Sequence, residues 1–329
     1  AQAAEKVVRM PHGDVTVLTA PRGPQQKLSA NAAAHPFATE RQRAAARPLA
    51  WPDAEAPARP GQETTLPESR APRPAESTSG GAAPPFAEYL ARQHFATEWR
   101  KIESLEDSGA ALPEKDVGAQ DGAHHPYIRY PGNYYTFQWK AARWNKIGKL
   151  YFTTPNGGSS YCTANVASGN SVLITAAHCV YTRGQGFNSN FVFVPAERYG
   201  VAPYGRYGWQ SASVLNNWIS AGGRRWEVAV IKLAGEARSG LPVTNYVGWL
   251  GRSWDWGYSQ STYSHGYASN LSTQYTNICA GQTYSSSWEG TDVLVQGCDM
   301  TYGSSAGAWL RNYTPKSQRG NHVNADVSE

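Results

Sequence analysis

The sequence predicts an all-β domain, an antiparallel sandwich or barrel, behind a long and largely irregular N-terminal region. Three observations carry that expectation. After about residue 126 the chain reads as short β-type runs broken by Gly, Asn, Ser and Pro, which is how strands joined by tight loops are written. No long amphipathic helix interrupts those runs, so an alternating α/β architecture is disfavoured. All four cysteines, most aromatic residues and nearly all strand-like runs lie beyond about residue 125, whereas the earlier chain is rich in Ala, Pro, Arg and Glu.

Taken in order, residues 1 to about 48 offer one β-like run, "DVTVLTA". The next stretch, about 48–85, is so dense in Pro, Ala, Glu and Ser that it cannot bury enough apolar surface to fold, and it reads as a linker. A single amphipathic helix is expected over about 86–105, because Phe86, Leu90, Phe95, Trp99 and Ile102 recur at near-helical spacing before Ser108-Gly109. Its apolar face is expected to dock on the β-rich domain. The strand candidates then come as "IGKLYFTT", "SYCTANVA", "SVLITAAHC", "NFVFVPAE", "SASVLNNWI", "VAVIKLA", "DVLVQGC" and "GAWLRNY". The aromatic cluster "YPGNYYTFQWKAARW" is assigned to packing, with a sugar-binding face as the other reading.

Composition narrows the function classes. A chain of 329 residues allows about two domains, and the shift at residue 125 divides it into 1–125 and 126–329. The net charge of +5 comes without a Lys/Arg block, so neither nucleic acid nor a membrane surface is called for as partner. No run of about 18 apolar residues exists to span a bilayer. The opening "AQAAEKVV" lacks Met and an apolar stretch, as expected of a secreted protein whose signal peptide has been removed.

The cysteines, Cys162, Cys179, Cys279 and Cys298, are separated by 17, 100 and 19 positions. That spacing contains no C-x-x-C and does not suit a zinc knuckle or a redox motif. Two local bridges, Cys162 to Cys179 and Cys279 to Cys298, are the simplest pairing. Each would contribute about 3 kcal/mol by loop closure, and both imply an oxidising compartment.

Three features could carry chemistry. "TAAHC" offers a base at His178, "RRWEVAVIKL" an acid at Glu227 directly before an apolar strand, and "GCDMTYGSSAGAWL" a hydroxyl at Ser305 in a turn of small residues. Each has a plain alternative: a half-buried His beside a structural Cys, a Glu pairing with Arg224 or Arg225 at the surface, and a Ser in a loop. Together, in the order His, acid, Ser, they supply what acyl transfer needs: a nucleophile, a proton acceptor and a carboxylate to orient it.

"TAAHC" followed by "GSSAG" resembles the trypsin-like (chymotrypsin-fold) serine endopeptidases. "IGKLYFTT", "NFVFVPAERYG" and "CDMTYGSS" are similar to the secreted, glutamyl-endopeptidase-like branch, and the likeness covers about residues 145–325. It implies two antiparallel six-stranded barrels with the active-site cleft between them, His and acid on the first, Ser on the second. Residue by residue, His178 is the expected general base and Ser305 the nucleophile. Glu227 stands where the family has Asp, and the backbone N–H groups of Gly303 and Ser305 form the oxyanion hole. A Cys162–Cys179 bridge would pin the turn that presents His178. Ala306 and Ala308 stand where the family has Gly and Pro. Ser304 replaces the Asp that pairs with a new N-terminus in the digestive branch.

For the substrate pocket, the resemblance marks Asp299, six residues before Ser305, and His322, 17 after it. In trypsin-like enzymes an Asp at the first position selects Lys or Arg, though in the glutamyl-endopeptidase-like branch it can stand there without that meaning. A His near the second position receives an acidic side chain in that branch. No metal and no organic cofactor is implied. The expected partners are a protein or peptide substrate and the chain's own N-terminal region acting as a pro-region and inhibitor, with His124-His125-Pro126 at the junction. The expected product is a secreted monomer. The alternatives are a binding module that keeps the fold without turnover, and an esterase limited to activated esters. "NLS" at Asn270 and "NYT" at Asn312 are glycosylation sequons.

Overall fold

The computed structural model describes residues 3–11, 13–21, 36–49, 76–107, 127–132, 144–285, 294–311 and 322–326. Ahead of β5 (Tyr127–Pro131), which opens the β-rich part, the N-terminal region contributes strands β1 (Ala4–Val8), β2 (Val15–Thr19), β3 (Arg47–Pro48) and β4 (Glu76–Thr78). It also contributes helices α1 (Glu40–Ala44), α2 (Ala87–His94) and α3 (Ala96–Asp107). Next come β6 (Ile147–Thr153), β7 (Ser159–Ser168), β8 (Val172–Thr175), a small hairpin of β9 (Tyr181–Thr182) and β10 (Gly186–Phe187), β11 (Ser189–Pro195), β12 (Tyr207–Leu215) and β13 (Ala229–Glu236). The last group is β14 (Gly251–Trp254), β15 (Ser261–Gly266), β16 (Asn277–Ser285), β17 (Leu294–Gln296), β18 (Ala308–Arg311) and β19 (His322–Asp326).

Six strands close on themselves in the order β12-β11-β6-β7-β8-β13, with β13 pairing back to β12. The inward residues are short-period apolar positions such as Leu150, Cys162, Ala164, Leu173, Phe193 and Ile231, all fully buried in one cluster. Closure removes the unpaired edges that a flat sheet would leave. The second sheet runs β17-β16-β15-β18-β19-β14, antiparallel except where β14 lies parallel to β19, and with the closed barrel it forms the expected all-β architecture of two β assemblies. The predicted run "SASVLNNWI" ends differently: after Leu215 the chain turns into a short helix, Asn216–Ser220, that buries Trp218.

The N-terminal region is woven into both sheets. β1 and β2 extend the first sheet beyond β12, and β3 lies beside β7. β4 joins the edge at β14, while β5, which opens the β-rich part, joins β16. Part of the stretch read as a linker is therefore an edge strand. Adding an edge strand needs backbone hydrogen bonds more than apolar side chains, and composition does not report those. The expected helix divides into α2 and α3, with Phe95 between them. Ala91, Phe95, Trp99 and Ile102 are buried in the first barrel's apolar cluster, while Phe86 is exposed. Trp99 also donates its indole N–H to the Pro203 carbonyl at 2.7 Å.

Candidate active site

His178 sits on a single 3-10 turn, Ala177–Cys179, that ends β8. Glu227 ends another such turn, Arg224–Trp226, just before β13. The two meet because β8 and β13 are antiparallel neighbours with Ala229 opposite Thr175. That register brings the residues just after β8 to those just before β13. The His178 backbone N–H donates to Glu227 Oε1 at 2.8 Å, and ring Nδ1 lies 3.1 Å from the same oxygen. With the proton on Nδ1, the ring donates to the carboxylate and Nε2 carries the acceptor lone pair, 3.6 Å from Cys179 Sγ. His178 is 2% exposed and Glu227 3%, so water does not compete for this contact. The surface pairing of Glu227 with Arg224 or Arg225 is thus replaced by a buried contact with His178.

The Cys162–Cys179 bridge is formed, joining β7 to the turn that carries His178. Cys279 and Cys298 form the second bridge. The two clusters of possible ligands among the described residues are Cys162, His178 and Cys179, and Cys279, Cys298 and Asp299. In each, both sulfurs are spent in a disulfide and offer no thiolate.

The turn carrying Ser305 is held by the outward face of β7. Residues alternate along a strand: Cys162, Ala164 and Val166 point into the barrel, and Tyr161, Thr163 and Asn165 point out. The Thr163 N–H donates to the Ser305 carbonyl at 2.9 Å, and its hydroxyl donates to the Gly303 carbonyl at 2.9 Å. Asn165 donates from Nδ2 to the Ala306 carbonyl at 2.7 Å and accepts the Ala308 N–H at 3.2 Å. A proline at 308 could not make that last bond, so Ala308 and Asn165 suit each other. Thr163 and Asn165 are fully buried. The sequence reading missed both, although the polar-apolar alternation in "CTANV" was the signal.

Ser305 is thereby tied to the residue next to Cys162, and Cys162 is bonded to the neighbour of His178. Gly303 has φ +89°, and a Cβ there would lie 2.6 Å from Tyr161 Cε2 and 2.7 Å from the Tyr267 carbonyl oxygen, so only glycine fits. Ala306 has φ +71° and belongs to the buried cluster of the first barrel. That conformation costs an alanine about 1–2 kcal/mol that glycine would not lose. Ser304 turns its hydroxyl to the Thr301 carbonyl at 2.7 Å.

Asp299 is engaged by strand β5: Arg129 Nε lies 3.2 Å from its Oδ2. His322 begins β19, in register with Gly251 on one side and Arg311 on the other. Asn270, of the first sequon, donates to the Asp299 carbonyl and accepts from the Thr301 N–H and hydroxyl. The second sequon, His124-His125-Pro126 and most of the "YPGNYYTFQWKAARW" stretch lie outside the described residues.

A closed six-stranded β-barrel joined to a second, mostly antiparallel sheet is the fold of the chymotrypsin-like serine proteases, the class that the sequence resembles. Among solved structures, the protease Anisep from Arthrobacter nicotinovorans matches with a TM-score of 0.51 and 23% identity over 60% of this chain and 90% of that one. A thermostable serine protease, AL20, from an extremophilic microorganism matches with a TM-score of 0.49 and 24% identity, over 56% and 93%. The "Extracellular metalloprotease" of Bacillus subtilis (strain 168) is 27% identical over 179 residues, 52% of each chain. The present chain thus spans about half the length of that relative. No family model matches this chain.

Proposed function

We propose that the chain is a secreted serine endopeptidase acting through an acyl-enzyme on Ser305, with His178 as general base and Glu227 as the acid that orients it. The observation that carries this reading is the double contact of Glu227 Oε1 with the backbone and ring of His178. In the proposed cycle Ser305 Oγ attacks the scissile carbonyl carbon while its proton passes to His178 Nε2. The N–H groups of Gly303 and Ser305 receive the oxyanion. Collapse breaks the C–N bond, and the imidazolium returns its proton to the leaving amine. Water then repeats the sequence on the ester, with His178 again as base. Every group in this cycle belongs to the chain, and no cofactor enters it. Two disulfides and a relative named extracellular support a location outside the cell.

Residues 126–329 are proposed as the protease domain and 1–125 as the chain's own N-terminal partner. The buried Trp99 and the strands that β1, β2 and β4 add to both sheets support a region that folds with the domain. A cut between residues 108 and 126 is expected to leave it bound.

The test is mass spectrometry of the full chain after reaction with a fluorophosphonate, beside Ser305→Ala and His178→Ala, together with casein turnover. An adduct on Ser305 that needs His178, with amide turnover, is the expected result. A folded chain that takes no adduct before or after the cut would be a binding module, and an adduct without amide turnover an esterase.

A further inference from the structure

We infer that Arg129 is a specificity-determining residue: from strand β5 it occupies the Asp299 carboxylate as an intramolecular guanidinium, so that the site refuses a basic side chain before the scissile bond. This rests on the serine-endopeptidase reading for the place of Asp299, six residues before the nucleophile.

Three observations converge on the carboxylate. β5 runs antiparallel to β16 with Tyr127 opposite Gly281 and Arg129 opposite Cys279, and residues two apart on a strand share a face. Cys279 is bonded to Cys298, the neighbour of Asp299, so the disulfide delivers Asp299 to that face. There Arg129 Nε lies 3.2 Å from Oδ2, with the Asp299 side chain 7% exposed and that of Arg129 30%. Tyr127 lies on the same face, and burial together with the Asp299 carboxylate raises its pKa.

The loop leading to Ser305 is fixed as well. Asn270 grips both ends of Asp299–Thr301, at 2.6 Å to the Asp299 carbonyl and at 3.0 and 2.8 Å from Thr301. These bonds fix the backbone that carries the carboxylate beside Arg129. An incoming lysine or arginine would have to displace a guanidinium that is already in place, exchanging one buried charge pair for another with no net gain.

The test uses the full chain and p-aminobenzamidine, an amidinium probe whose fluorescence reports binding to a free carboxylate whether or not the protein turns over substrate. Arg129→Ala and Arg129→Gln are measured beside the Arg129→Ala/Asp299→Asn double variant, each checked for a native melting transition. The single variants are expected to bind the probe at least about ten-fold tighter than the unaltered chain or the double variant, about 1.4 kcal/mol. If the unaltered chain binds as tightly as the single variants, or folded single variants gain nothing, the proposal fails. It also fails if the unaltered chain prefers Lys or Arg in a peptide library. Fluorophosphonate labelling separates the two readings: a gain in amidine binding without an adduct on Ser305 would overturn the peptidase, and an adduct without the gain would overturn the role of Arg129.

Discussion

Glu227 holds His178 twice through one oxygen, at 2.8 Å to the backbone N–H and 3.1 Å to ring Nδ1. The extra methylene of a glutamate is thus accommodated by the turn that ends just before β13. Glu227→Gln keeps a hydrogen-bond acceptor but removes the charge that stabilises the imidazolium. In the comparable acid-to-amide change of a serine protease the turnover number falls about 10⁴-fold, and kcat on a chromogenic amide is expected to fall by a similar order with the melting temperature little changed. A loss below about ten-fold, against that reference, would mean that Glu227 does not support the imidazolium.

Gly303 cannot carry a side chain, because φ is +89° and a Cβ would meet both Tyr161 and the Tyr267 carbonyl. Gly303→Ala should therefore turn its N–H away from the oxyanion position. The expected cost is about 10²–10³ in kcat, the value of one oxyanion donor. Adding Tyr161→Ala should restore little, since the carbonyl clash remains. Full rescue by the double variant would put the fault in the ring contact alone.

Trp99 anchors the N-terminal region to the first barrel. It is buried, it hydrogen-bonds Pro203, and the Arg92 guanidinium lies 4.4 Å over its ring. Trp99→Ala is expected to destabilise the full chain by about 3–5 kcal/mol in urea unfolding. The exposed Phe86→Ala serves as control and should change stability by less than about 0.5 kcal/mol. Equal effects would contradict the docked helix.

Lys146, buried just before β6, has its pKa lowered to about 7 by burial. The unfolded chain binds this proton up to the ordinary lysine range, near 10.4. Between those two values the unfolded state holds more protons than the folded one, so stability rises with pH through that window. The penalty is fully present below about pH 7 and is relieved as the window is crossed, with roughly 1.4 kcal/mol riding on each pH unit. Lys146→Met should therefore be more stable than the unaltered chain at pH 7, with the difference shrinking toward pH 10 in paired urea titrations. A difference independent of pH would exclude this titration as its source.

The parts of the proposed site could be picked out because each is local. The His178 turn follows an apolar strand, Glu227 precedes one, and Ser305 lies among small residues, so each announces itself within a few positions. The N-terminal strands were less legible. β4 comes from chain that looks too polar to fold, since its attachment to β14 uses the backbone and not apolar side chains. The helix face was read correctly at Phe95, Trp99 and Ile102 and wrongly at Phe86, which stands at the N-cap of α2, outside the helix proper.

The sequence by itself determined the β texture, the two local disulfides and the order of base, acid and hydroxyl, because periodicity and short spacing are written along the chain. Only the tertiary structure decided that Thr163 and Asn165 carry the Ser305 turn on the outer face of β7, and that Arg129 reaches Asp299 across 170 positions of sequence. Those contacts depend on strand register and barrel closure, and register is settled by which faces can be buried against each other, a property of the assembled sheets.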